Sequence, residues 1–145
     1  FQGYTSDNAQ TLIGFGASAI GQLHQGYIQN VSPIKQYRES ITAGNLPIFR
    51  GFKLSEDDRI RGHIIERIMC DLKVDLDRVC KKFSISTESF APEIEKLLNL
   101  SEDGIVDLSE KTITVTEIGR PFVRIVAAVF DTYLKDGKGR HSRAV

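Results

Sequence analysis

Cysteine is scarce in this chain. Its 145 residues hold two, Cys70 and Cys80, ten positions apart on two separately predicted helices. With no second pair, they argue against a disulfide scaffold and against a four-ligand zinc site. Each reads as a buried, reduced thiol, because free cysteine behaves as a small hydrophobe. That usage suits a reducing cytoplasm. Histidine is also sparse: His24, His63 and His141 are scattered with no H-x-x-x-H spacing, so no metal role is read for them.

An excess of charge of either sign is missing too. Nineteen basic residues balance nineteen acidic ones. No global field therefore draws the chain to nucleic acid or to an anionic membrane. No apolar run approaches the length of a transmembrane helix. The first residue is Phe1 rather than Met, and no charged stretch precedes an apolar one, so a signal peptide is not expected and the chain reads as a segment of a longer protein. The length fits one domain, or one domain and part of another.

What is present is concentrated near the amino end. Residues 12–21 (L-I-G-F-G-A-S-A-I-G) are apolar and glycine-rich. Gly14, Gly16 and Gly21 allow φ > 0 or a close approach to another group. Such a segment is expected to be buried, passing under a ligand or against another backbone. It does not match a dinucleotide-binding motif, since Ala19 stands where the third glycine belongs and no clear strand precedes it. Nor is it a nucleophile elbow, because Ile20 follows where glycine is required after Ser18. A tight buried turn plus a core segment is the plain alternative.

Further on, residues 5–10 read as a polar loop and 24–30 as a short strand or turn. Ser32 and Pro33 open a helix carrying Ile34, Tyr37, Arg38 and Ile41 at helical spacing, stopped by Gly44. Residues 45–52, punctuated by Pro47 and Gly51, read as an extended connector. Ser55 and the acidic residues after it start the clearest helix. Its apolar stripe is Ile60, Ile64, Ile65, Ile68, Met69 and Leu72, with Arg59, Arg61, Glu66 and Arg67 off it. A shorter helix covers 76–83. A third covers 87–100, with Phe90, Ile94, Leu97 and Leu98 on one face and Pro92 in its first turns.

After Gly104 the period changes from helical to alternating. Residues 105–108 and 112–116 form a hairpin signal about Ser109, Glu110 and Lys111. Thr116 then caps a last helix with Phe122, Ile125, Val126, Val129, Phe130 and Tyr133 at i, i+3, i+4, i+7. Residues 135–145 are a basic, glycine-broken tail.

Three helices, a hairpin and a helix is the order of a winged-helix-like module. Such a module can read DNA, but the candidate recognition helix carries Glu88, Glu93 and Glu95 against Lys96, and the hairpin tip is not basic. Phosphate contacts need a basic footprint. Packing or cover is the better role, with a nucleic-acid or protein-binding module as the alternative class.

Four stretches together resemble the C-terminal part of the oxygen-independent coproporphyrinogen III oxidases, a radical S-adenosylmethionine (radical SAM) family of haem synthesis. They are residues 1–5 (F-Q-G-Y-T), 12–20, 107–120, and 130–134 (F-D-T-Y-L) with Ser142 and Arg143. The resemblance implies an α+β, mostly helical chain: residues 1–52 as the closing part of the catalytic α/β barrel, 53–134 as a winged-helix-like C-terminal domain, and 135–145 as its tail. It implies that a [4Fe–4S] cluster and S-adenosylmethionine generate a radical that takes hydrogen from the propionate β-carbon. Loss of CO2 and an electron then leaves a vinyl group, twice, converting coproporphyrinogen III to protoporphyrinogen IX. It implies that Phe1, Gln2 and above all Ile20 line a second S-adenosylmethionine site. The family's C-x-x-x-C-x-x-C loop is absent here, so the chain alone is expected to hold no cluster and to have no turnover. The expected partners are the substrate and the rest of the barrel in cis, with no nucleic acid and no membrane.

Overall fold

The computed structural model describes Ala9 and residues 11–134. The chain divides into two compact units, one ending at Asp57 and the other beginning at Asp58.

The first unit is a three-stranded antiparallel sheet with one helix. Strand β1 (Ile20–Leu23) turns tightly into β2 (Gly26–Asn30), pairing Ile20 with Gln29 and Leu23 with Gly26. Helix α1 (Ile34–Thr42) follows, and β3 (Ile48–Lys53) returns along β2 in the order β1-β2-β3. The α1 helix begins after Pro33 with no side-chain cap, so Ser32 does not play the capping role its position suggests. Residues 45–52 are not a connector. Ile48, Phe49 and Phe52 are β-formers, and Pro47 precedes the paired residues instead of interrupting them. Gly26 has φ +155, and a Cβ there would run into the Phe52 carbonyl oxygen, so only glycine lets β3 close on β2.

The second unit holds the core. Helix α2 (Glu56–Asp71) buries Ile60, Ile64 and Ile68. Then come β4 (Lys73–Asp75), α3 (Leu76–Phe83), a 3-10 turn (Thr87–Phe90) and α4 (Ala91–Glu102). The hairpin is β5 (Val106–Ser109) and β6 (Thr112–Val115). A 3-10 turn (Arg120–Phe122) leads into α5 (Val123–Ala128). β4 adds to the hairpin, giving the order β4-β6-β5, with Val74 opposite Ile113 and Leu108 on its other side. Four helices and a three-stranded winged sheet result, in an α+β chain.

The apolar core of this unit is continuous from Ile60 to Phe130. Phe90 and Phe130 meet edge to face at 6.0 Å, both essentially without exposure. Burial of each such side chain contributes about 1.5–3 kcal/mol. Two charged residues join them. Arg61 and Glu93, expected on solvent faces, form an ion pair at 2.9 Å, and Arg61 also lies 5.6 Å from the Phe90 ring centre. Their side chains are only 14% and 9% exposed. Glu93 is therefore not a surface charge facing phosphates.

The last helix differs from its expected form. Thr116 does accept the Gly119 N–H at 3.0 Å, but it also donates to the Gly104 carbonyl at 2.7 Å, which ties the hairpin to the turn before α5. The α-helix itself starts only at Val123, after Pro121 in the 3-10 turn. Val126 and Phe130 face inward, while Phe122, Ile125 and Tyr133 are exposed, as is Leu98 on α4. A full i, i+3, i+4 stripe is wider than the face this small core covers.

Candidate functional site

The first unit contains the glycine segment, and its geometry is set by backbone pairing. Leu12 and Gln22 exchange two backbone hydrogen bonds, both 2.8 Å, so residues 12–14 run antiparallel to the outer edge of β1. Gly14 then falls beside Ile20, and a Cβ on Gly14 would stand 2.7 Å from the Ile20 carbonyl oxygen. A Cβ on Gly21 would stand 3.0 Å from the Leu12 carbonyl oxygen. These two glycines are required by the segment's approach to its own strand. Gly16 serves a different purpose: its φ of +100 makes the turn, and the space where its Cβ would lie is open.

Asn30 fastens this turn. Its carboxamide donates to the carbonyl oxygens of Gly16 at 2.9 Å and Gly14 at 3.2 Å, and its backbone N–H donates to Ala19 at 2.9 Å. The Gly16 N–H in turn donates to the Tyr37 hydroxyl on α1 at 3.1 Å. Ser18, at φ 61, donates its N–H to the Val31 carbonyl at 2.9 Å. A side-chain relay reaches it from β3, with Arg50 donating to Gln29 at 2.8 Å and Gln29 donating to the Ser18 carbonyl at 3.2 Å. None of Asn30, Tyr37, Gln29 or Arg50 stands out in the sequence as a site residue. The only signal is an asparagine closing an otherwise strand-like run before Ser32 and Pro33.

The expectation that this segment is buried is not met. Leu12 is 45% exposed, Ile13 64% and Phe15 89%. Among the described residues the buried apolar core begins at Ile60, so the first unit encloses no large apolar side chain. A four-residue strand, a nine-residue helix and their neighbours give too little area to cover these groups. Ile20 is half-buried on β1, while Phe1 and Gln2 lie outside the described residues. Ile20 stands opposite Gly14 on β1, and Leu12, Ile13 and Phe15 of the neighbouring segment are exposed.

An iron–sulfur cluster does not fit the described residues. No group of three or more His, Cys, Asp or Glu among them could hold a metal ion. Cys70 is on α2 and Cys80 is buried on α3. Burial pushes both thiols up from their ordinary pKa, away from the thiolate that ligation needs. No helix of the described residues is long and apolar enough to cross a membrane.

No family model matches the chain. Individual proteins do. The oxygen-independent coproporphyrinogen III oxidase of Bradyrhizobium diazoefficiens is 46% identical over 145 residues, all of this chain and 32% of that protein. The enzyme of the same name from Salmonella typhimurium is 37% identical, covering 93% of this chain and 30% of that protein. The solved structure of coproporphyrinogen III oxidase from Escherichia coli, a radical SAM enzyme, superposes with a TM-score of 0.83 at 34% identity, over 91% of this chain and 31% of that one. The chain thus spans about a third of the length of the relatives it matches. Throughout its own length, it is homologous to one third of an oxygen-independent coproporphyrinogen III oxidase of the radical SAM kind.

Proposed function

We propose that the chain is the closing part of an enzyme that converts coproporphyrinogen III to protoporphyrinogen IX without O2, by oxidative decarboxylation of two propionates, in the cytoplasm. The observation that carries this is the superposition over 91% of the chain at 34% identity, which joins sequence and fold in one comparison. Residues 1–52 would complete the barrel, 53–134 would form the winged-helix-like domain, and 135–145 its tail. The exposed apolar residues of the first unit support a role in which other parts of the enzyme cover them. The [4Fe–4S] cluster belongs to the two thirds of the relatives' length that this chain does not span, since its two cysteines cannot supply three clustered thiolates.

S-adenosylmethionine, when bound, supplies the radical chemistry. This chain's part is to bind and orient it. Ile20 would pack on the adenine or methionine chain, with Phe1 offering a ring face and Gln2 an amide that both donates and accepts. The turn held by Asn30 fixes Ile20 from one side through Gly14. The test is a chimera in which this chain replaces the corresponding third of the Escherichia coli enzyme. Ile20→Asp is expected to raise the KM for S-adenosylmethionine at least tenfold while the protein stays folded. An unchanged KM would remove Ile20 from the site.

A further inference from the structure

We propose that one face of the first unit's sheet receives the tetrapyrrole substrate, with Arg50 taking a propionate carboxylate and Tyr27 and Phe52 lying against the macrocycle. This deepens the activity proposed above and rests on it for the choice of ligand.

The strand register brings these residues together. Ile20 pairs with Gln29 and Gln29 pairs with Arg50, so the three form one row across β1, β2 and β3. Directly paired residues share a face of the sheet, as do residues two apart on one strand. The next row on that face is Gln22, Tyr27 and Phe52. Neighbouring strands lie about 4.8 Å apart, which puts Arg50 about 10 Å along the row from Ile20. One tetrapyrrole reaches from the residue proposed to hold S-adenosylmethionine to that arginine.

Arg50 is oriented by a neutral partner and is not neutralised. Its Nε donates to Gln29 at 2.8 Å, and Gln29 is itself anchored on the Ser18 carbonyl at 3.2 Å. Those bonds fix the plane of the guanidinium, while its two terminal nitrogens have no partner among the described residues. Such a pair of parallel N–H groups suits two-point contact with a carboxylate. None of the three strands carries an aspartate or glutamate, so no anion within the sheet competes for it. Tyr27 and Phe52 are 40% and 50% exposed, which sets two aromatic rings beside the cation. Coproporphyrinogen III has the matching pattern, an apolar macrocycle edged with four carboxylates. Aromatic side chains give the contact area, and the arginine fixes the orientation.

The test uses the chimera in which this chain replaces the corresponding third of the Escherichia coli enzyme. The probe is coproporphyrin III, the oxidised and fluorescent macrocycle that keeps all four propionates. Fluorescence titration is expected to show saturable binding that Arg50→Gln weakens at least tenfold and Arg50→Lys weakens less. Tyr27→Ser combined with Phe52→Ser is expected to weaken it at least threefold. Affinity for S-adenosylmethionine, measured by calorimetry on the same variants, is expected to stay within twofold. Binding through Arg50 in a chimera that forms no product would support this site and count against the proposed activity alone. No saturable binding by the parent chimera, unchanged binding in Arg50→Gln, or an equal loss for both ligands would overturn the inference. So would a loss confined to S-adenosylmethionine, which would assign Arg50 to the methionine carboxylate instead.

Discussion

The Asn30 carboxamide lies 2.9 Å from the Gly16 carbonyl oxygen, and through this contact strand β2 holds the glycine turn against β1. Two carbonyl oxygens accept from that one amide, and the Gly16 oxygen also accepts the Ala19 N–H at a longer 3.4 Å. Asn30→Ala should therefore loosen the turn by about 1–3 kcal/mol, the cost of leaving such groups unpaired. Hydrogen exchange at the Gly16 and Ser18 amides should speed up by one to two orders of magnitude or so, while the amides of α2 stay as they were. Unchanged exchange at both residues would mean that the turn is held by other contacts.

The Arg61–Glu93 pair predicts a larger loss for one substitution than for two. Glu93→Ala leaves Arg61 with its close anionic partner removed in a nearly buried place, which costs about 3–5 kcal/mol. Replacing both, with Arg61→Met and Glu93→Leu, should restore most of that loss. Glu93 Oε2 is itself buried without a hydrogen-bond partner, so the native pair is not fully satisfied. Urea unfolding of the single and double variants checks this. A double variant as unstable as the single one would contradict it.

The hairpin tip holds two non-glycine residues in the left-handed region, Glu110 at φ 50 and Lys111 at φ 65. A two-residue turn with positive φ at both positions favours Asn-Gly. Glu110→Asn with Lys111→Gly should raise stability by about 1 kcal/mol. The lost contact from Lys111 to Asp77 is long, 3.4 Å, and exposed, so it offsets little. A lower thermal midpoint in the variant would show that this contact outweighs the backbone strain.

His63 gives the second unit a pH dependence. Its folded pKa is depressed, so between that value and about 6.5 the unfolded chain binds the proton more readily than the folded one. Stability present above pH 6.5 or so is therefore lost as the pH falls through this window. His63→Gln should lose less stability between pH 7.5 and pH 5 than the parent chain, measured by urea midpoints. Equal losses would show that His63 does not set the slope.

Where the sequence was explicit, local chemistry and burial agree. Helix α3 falls on residues 76–83 as its Leu76, Val79 and Cys80 spacing predicts, and the hairpin and the isoleucine stripe of α2 follow their periods. Strand β4 was not legible: it is three residues with one apolar side chain, and it exists because β6, far along the chain, pairs with it. Arg61 and Glu93 were misplaced for a related reason. Charged residues are assigned to solvent by pattern, and only the fold reveals a partner 32 positions away. Ile125 and Phe122 fit the helical period, yet the core they were assigned to ends at Val126 and Phe130. In the glycine segment, apolarity predicted burial, whereas the first unit has nothing large enough to bury it. Gly14 and Gly21 are sites of close approach, as read, and the group they approach is the segment's own backbone, whereas Gly16 supplies a positive φ.

The account rests on this chain being one third of a larger catalyst, and turnover tests that most directly. Under anoxic conditions with S-adenosylmethionine and an electron source, the chimera carrying this chain in the Escherichia coli enzyme should convert coproporphyrinogen III to protoporphyrinogen IX, while the 145-residue chain alone should release no product. A folded, cluster-loaded chimera without product, or conversion by the chain alone, would contradict the account.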